Sequence, residues 1–71
     1  LEEENQRKAD VETIYTSTDK NKIQELIKKY HVVYLFIGTC EYEKYGKINT
    51  DLLDSLGQVV FRKGKTLIIK V

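Results

Sequence analysis

The sequence predicts a small α/β (α+β) domain, a mixed sheet with helices packed on one face. Three observations indicate this class. The chain has 71 residues, 41% of them apolar, which suits one ordered domain and not a disordered segment. An amphipathic helix pattern stands between two strand-like segments. Two further strand-like segments, joined by a short turn, close the chain and give the order β-α-β-α-β-β.

The domain organisation follows from where charge and apolar residues concentrate. Residues 1–10 are mostly charged and predict a solvated leader or linker, whereas residues 11–71 predict a single α/β domain. Methionine is absent, so we expect the chain to be a fragment of a longer protein. The longest apolar run has six residues, far short of the roughly 20 that a membrane helix needs.

A βαβ unit is predicted for the first half of the domain. The β-branched and aromatic residues of Val11–Thr16 favour a strand. Asp19 then suits the N-cap of a helix, because its carboxylate accepts hydrogen bonds from first-turn amides. That helix has an apolar stripe at helical spacing: Ile23, Leu26, Ile27 and Tyr30. The continuous apolar run Val32–Ile37 predicts a strand covered on both faces and parallel to the first.

The second half is predicted to hold a short helix and a hairpin. Residues 39–47 predict a loop or a single helical turn. Asn49 or Thr50 suits the cap of a short helix that Gly57 ends. Strands are predicted at Gln58–Phe61 and Lys65–Val71, joined by a tight turn at residues 62–64. The last strand alternates apolar and polar residues, which predicts one covered face and one wet face, and we expect it to lie at the sheet edge.

Several function classes are disfavoured by composition. The net charge of +1 predicts no nucleic-acid or anionic-lipid partner. With one cysteine, Cys40, and one histidine, His31, the chain has no internal disulfide and too few ligands for a typical structural zinc site. These two residues flank a strand about 20 Å long, so they predict no Cys-His pair. We expect no catalytic residue, no metal and no cofactor in this domain.

A ligand-binding surface is predicted at the carboxyl edge of the parallel strands. Ligands collect there in open α/β sheets. Ser17 and Thr18 lie at the start of the first helix, and Glu41, Tyr42 and Tyr45 follow the central strand. Tyrosine faces can stack on a sugar and a carboxylate can accept its hydroxyls. The alternative is that these rings only cover the end of a small core.

The chain also resembles a known family. The segments that carry the likeness are DVETIYTSTD, LIKKY, VVYLFIG, KYGKIN, QVVF and LIIKV, in this order, and they span Asp10 to Val71. They resemble the C-terminal tail of the YYY family of archaeal and bacterial multi-pass membrane proteins, which are thought akin to glycosyltransferases using lipid-linked sugars. Glu41 and Tyr45 match family positions. The family's Leu-Glu-Arg triplet is replaced by Cys40-Glu41-Tyr42, one position displaced, so its arginine has no counterpart.

The resemblance implies a non-catalytic, extramembrane C-terminal domain with an accessory, structural or acceptor-binding role. Its partners would be the membrane portion of its own parent chain and a sugar or glycosyl acceptor, with no nucleic acid and no metal. The domain itself would be soluble, tethered to the membrane by its parent and extracytoplasmic. The alternative is a free-standing protein-interaction module that adds a partner strand to an exposed sheet edge, with the last strand as the candidate.

Overall fold

A computed structural model of the chain describes residues 2–71, with side chains described from residue 4. The elements are α1 (Glu2–Thr16), α2 (Lys20–Lys29), β1 (Tyr34–Ile37), α3 (Thr39–Tyr45), α4 (Thr50–Asp54), β2 (Gln58–Lys63) and β3 (Thr66–Lys70). The three strands form an antiparallel sheet in the order β1-β3-β2. The predicted class, a small α+β domain, is therefore confirmed.

The predicted first strand is wrong, because Val11–Thr16 is the second half of α1. The residues before it are mainly Glu, Gln, Arg, Lys and Ala, which favour helix and extend it through the β-branched stretch. The Thr13 and Thr16 hydroxyls donate hydrogen bonds to backbone carbonyls one turn earlier. Since this strand is absent and all pairing is antiparallel, the predicted parallel βαβ unit and mixed sheet are also wrong.

The helix α1 crosses the predicted boundary between leader and domain at residues 10 and 11 without a break. Asp10 is only 6% exposed, so the end of the predicted leader is buried against the domain. Leu1 of that leader lies outside the described residues. Where the domain begins stays a prediction, but the described part of the leader is helical.

The predicted helix after Asp19 is confirmed as α2. Asp19 is its N-cap, and its carboxylate accepts a hydrogen bond from the Lys22 amide at 3.2 Å. Ile23 and Leu26 are buried on the apolar stripe, while Ile27 and Tyr30 are partly buried against the same core. Lysines cover the wet side of the helix, as its amphipathic pattern predicts.

The end of α2 turns sharply at His31, which has a left-handed φ of 53°. The His31 amide donates to the Lys28 carbonyl at 3.2 Å and the Val32 amide donates to the Ile27 carbonyl at 3.0 Å. This is the hydrogen-bond pattern of a Schellman motif, in which the left-handed position is usually glycine. The turn directs the chain from α2 into β1.

Two strand predictions need correction. β1 was expected to be covered on both faces, but Leu35 and Ile37 are buried whereas Tyr34 and Phe36 are exposed. β3 was expected at the sheet edge, but it lies between β1 and β2. The predicted two-faced character of β3 is confirmed. The sheet has one packing layer, so an apolar run such as β1 is left half uncovered.

The predicted hairpin is confirmed as β2 and β3, but its turn is at Gly64-Lys65 and not at residues 62–64, because β2 continues through Arg62 and Lys63. Gly64 has a left-handed φ of 58°, which glycine adopts without a steric penalty. Lys63 lies opposite Thr66, so the turn itself has two residues. A β-bulge interrupts the register between Val59 and Phe61.

A single core lies between the sheet and the helices. Its buried residues come from every layer: Ile14, Ile23, Leu26, Leu35, Ile37, Ile48, Leu53, Leu67 and Ile69. The predicted loop at residues 39–47 contains the seven-residue helix α3, and the predicted short helix is α4, capped by the Asn49 side chain. All buried apolar residues of the strands point to this core, which leaves the other sheet face open.

Candidate functional site

Two of the predicted site residues, Ser17 and Thr18, lie in the turn between α1 and α2. The Ser17 hydroxyl accepts a hydrogen bond from the Asp19 amide at 3.0 Å, which shapes the turn before α2. Thr18 is exposed and lines an open crevice of about 550 Å³ with Thr16 and with residues 47–51. Lys47, Asn49 and Asp51 give this crevice a polar wall.

Glu41, Tyr42 and Tyr45 lie on α3, which follows β1; this strand was predicted to be central but lies at an edge of the sheet. The Glu41 carboxylate accepts the Gly38 amide at 2.8 Å and so closes the first turn of this helix. The Tyr45 ring stacks on Tyr15 of α1, with centroids 5.1 Å apart and an interplanar angle of 17°. Tyr42 is half-buried and packs against the core. The stack holds α3 against α1.

The five predicted residues do not share one crevice among those seen in the described part of the chain. Thr18 lines the crevice beside α4, Tyr42 lines one with Thr39 and Lys65, and Tyr45 lines one between α1 and α3. The argument for a common edge needed two parallel strands, and the first of them is a helix. Sugar binding by this set stays a prediction without that support.

Tyr15 links α1 to the outer edge of the sheet. Val71 donates to the Val33 carbonyl, and carbonyls alternate direction along an antiparallel strand, so the Phe36 carbonyl points away from β3. The Tyr15 hydroxyl donates to that carbonyl at 2.7 Å. Burial of the phenol, with the nearby Glu41 carboxylate, raises the pKa of Tyr15. The hydroxyl therefore stays protonated and occupies part of the β1 edge.

A polar cluster that the sequence did not reveal joins α1 to α2. Asp10 accepts hydrogen bonds from the Tyr30 hydroxyl and from Gln6, the latter at 3.0 Å, and pairs with Lys29 at 3.6 Å. The Lys29 ammonium and the Arg7 guanidinium lie 5.3 Å and 5.8 Å from the Tyr30 ring centroid. The Tyr30 hydroxyl lowers the pKa of Asp10, and Asp10 raises the pKa of Tyr30. Every group in the cluster has a structural partner.

The open face of the sheet is the surface without a packing layer. We define it as Tyr34 and Phe36 of β1, Phe61 of β2 and Ile68 of β3. The three aromatic residues are 45–55% exposed, and Ile68 is half-buried. Phe36, Ile68 and Phe61 lie opposite one another across the three strands and form an apolar row. Val60, in the bulge beside this row, is 50% exposed.

The charged residues on the open face itself are lysines. Lys70 lies opposite Tyr34, and Lys63 lies opposite Thr66, so both lysines belong to this face. Arg62 and Lys65 lie at the hairpin end. No strand contains an acidic residue. The half-exposed aromatic row therefore has a lysine on either side, while the Glu41 carboxylate lies near the Phe36 ring at the β1 edge and Glu43 lines a crevice with Lys65.

The sequence analysis missed this face because it assigned a second layer over β1. Two signals could have indicated it. The segments that are clearly helical are too few to cover both faces of a sheet, and the chain has no acidic residue after Asp54. An exposed apolar patch bordered by polar groups marks a site of interaction with a protein or a membrane.

Within residues 2–71, no three or more His, Cys, Asp or Glu side chains gather closely enough to hold a metal ion. Cys40 is exposed at the start of α3. In the same range no helix has the length and apolar character needed to cross a bilayer. The open face, an exposed apolar patch on the strands, is the candidate functional site.

Comparison of the chain with protein-family models, with curated proteins and with solved structures gives no match in any of the three.

Proposed function

We propose that this chain is a non-catalytic accessory domain of a polytopic membrane protein similar to lipid-linked-sugar glycosyltransferases, and that it packs over the membrane portion of its parent. The membrane portion means the transmembrane segments together with the lipid around them. The likeness of Asp10–Val71 to the tail of the YYY family motivates the proposal. In this role the domain is extramembrane and tethered by its parent.

One observation carries the proposal: the open face exposes Tyr34, Phe36 and Phe61 on rigid strands. Aromatic side chains with a polar border suit the interface between a bilayer and water, where one end of the surface is apolar and the other is wet. A domain held beside transmembrane segments would keep this face covered. The helical layer is polar on its outer side and suits solvent.

A second candidate function is a protein-interaction module that adds a partner strand to the sheet. The edge first expected for this role belongs to β3, which is central and already paired on both sides. The two outer strands are β1 and β2. The Tyr15 hydroxyl occupies part of the β1 edge, and β2 carries a bulge and two cations, features that oppose strand addition. The edge is therefore a weaker candidate than the face.

The test uses the full-length parent in its native membrane. Replacing Phe36 and Phe61 together by serine should release the domain and make it more accessible to an added protease, because the apolar contact is lost. The control pair, Gln24→Ser and Glu25→Ser, changes exposed residues of α2 on the helical layer. Equal protease sensitivity and unchanged activity in all three proteins would contradict the proposal.

A further inference from the structure

We infer that the open face binds the headgroup region of an anionic lipid bilayer, with its aromatic row in the interface and its lysines on the phosphates. The inference rests on the proposed function, because the parent holds the domain close to the membrane. It goes further by naming lipid, and not the parent's protein surface, as what this face contacts.

Charge is segregated along this chain although its net value is only +1. All eleven acidic residues precede Ser55, whereas residues 55–71 contain four cations and no acid. Of those four, Lys63 and Lys70 lie on the open face and Lys65 lies in the hairpin turn, whereas Arg62, opposite the buried Leu67, lies on the other face near the hairpin end. The net charge alone predicts no anionic-lipid partner, but attraction over one Debye length depends on the local charges.

The placement of the apolar row and the lysines matches the two zones of a bilayer surface, the apolar zone and the phosphate zone above it. Phe36, Ile68 and Phe61 form a row across all three strands, and Val60 lies beside it. Lys70 and Lys63 lie on either side of that row on the same face. Lysine stems can extend along apolar surface while the ammonium reaches a phosphate, so the rings and the charges can be satisfied together.

The composition of the face favours lipid over two other occupants. Lysine is depleted at protein–protein interfaces, whereas arginine is enriched there, and this face and its hairpin end have three lysines to one arginine. A second copy of the chain would bring Lys63 and Lys70 against the same cations and pair like charges. An anionic bilayer offers opposite charge and an apolar interior at once.

The experiment measures sedimentation of the 71-residue chain with phosphatidylcholine vesicles, with and without phosphatidylglycerol. We expect binding only to the anionic vesicles, weakened by salt. The pair Lys63→Gln and Lys70→Gln should weaken binding about 30-fold, because each lysine near an anionic surface contributes a factor of about five. The control pair Lys20→Gln and Lys22→Gln makes the same charge change on α2 and should leave binding nearly unchanged.

A second variant separates docking of the face from simple charge attraction. Phe36→Ser with Phe61→Ser keeps every charge and should also weaken binding, since the aromatic row no longer enters the interface. Circular dichroism on each variant confirms that it is folded. Binding that survives this change, or that falls equally in the α2 control pair, would overturn the inference.

The outcomes also separate this inference from the proposed function. No vesicle binding, together with a parent that still needs Phe36, Phe61 and the lysines, would assign the face to an acidic protein surface and overturn only the lipid inference. Vesicle binding by the chain with a parent indifferent to the same residues would contradict the proposed function instead.

Discussion

Gly57 lies where the chain leaves α4 and passes under the end of β3. A Cβ at this position would lie 2.0 Å from the Lys70 carbonyl oxygen, which is backbone and cannot move aside without disturbing the sheet. We expect Gly57→Ala to lower the free energy of unfolding by about 1–3 kcal/mol, the usual cost of overpacking. Denaturant unfolding measures it. The neighbouring exposed variant Gln58→Ala should change stability by less than about 0.5 kcal/mol, and equal effects would argue against this close approach.

His31 holds the left-handed position at the end of α2, where a side chain costs free energy and glycine does not. We expect His31→Gly to raise the free energy of unfolding by about 0.5–1 kcal/mol, after the extra entropy of the unfolded glycine is subtracted. His31→Ala is the control, because alanine keeps the Cβ penalty. A glycine variant no more stable than the alanine variant would show that the turn is not strained.

At the scale of elements, we expect the contact between α1 and α2 to depend on pH through Asp10. Its folded-state pKa lies below the ordinary value of 3.8, chiefly because the Tyr30 hydroxyl donates to the carboxylate. A lowered pKa adds stability that is fully present above the unfolded value and is lost as the pH falls through the folded value. The raised pKa of Tyr30 adds stability that is present below about pH 10 and is lost as the pH rises through its folded value.

Tyr30→Phe tests this contact. Without the hydroxyl, the pKa of Asp10 should move up towards its ordinary value, and the stability lost between neutral and acid pH should shrink. An NMR titration of the Asp10 carboxyl follows the pKa, and thermal unfolding at several pH values follows the stability. Tyr34→Phe removes an exposed hydroxyl from the sheet and should alter neither; a matching shift in that variant would disprove the role of the Tyr30 hydroxyl.

Elements defined by local signals could be predicted from the sequence, and elements defined by distant contacts could not. Asp19, the apolar stripe of α2 and Gly64 are local signals. They predict α2 and the β2–β3 hairpin, and the structure contains both. In α1, Val11–Thr16 has strand-favouring residues, but the helix-favouring residues before it extend the helix through them. The contact of Asp10 with Tyr30 joins residues twenty positions apart, leaves no periodic trace and could not be predicted.

The order of the strands shows the same limit. The hairpin predicts that β2 pairs with β3, but nothing local says which side of the hairpin β1 joins. The apolar run at β1 predicts burial on both faces, since such runs usually lie in fully covered strands. Exposed Tyr34 and Phe36 break that rule. Where local pattern and global fold disagree, a functional surface is expected, and this disagreement supports the open face as the candidate site.

For the whole molecule, the separation into a helical layer and a sheet layer is also a separation of acidic residues from the strands. All eleven acidic residues lie in the helices or directly beside them. The outer side of the helical layer is polar. The sheet layer has cations only and exposes its aromatic row. A molecule with separated charges orients in the electric field of a charged surface. Its cationic face therefore turns towards a negative surface before contact. Vesicle binding should therefore weaken as salt rises, and binding independent of salt would contradict this orientation.

The most direct measurement of the central claim is NMR of the isotope-labelled chain on anionic nanodiscs that carry a nitroxide on a lipid headgroup. Paramagnetic broadening reports which amides lie near the bilayer surface. The open face and the Gly64-Lys65 turn should broaden most, and the exposed side of α2 should be spared. Broadening centred on α2, or none above that seen with zwitterionic nanodiscs, would contradict the claim that the open sheet face contacts the membrane.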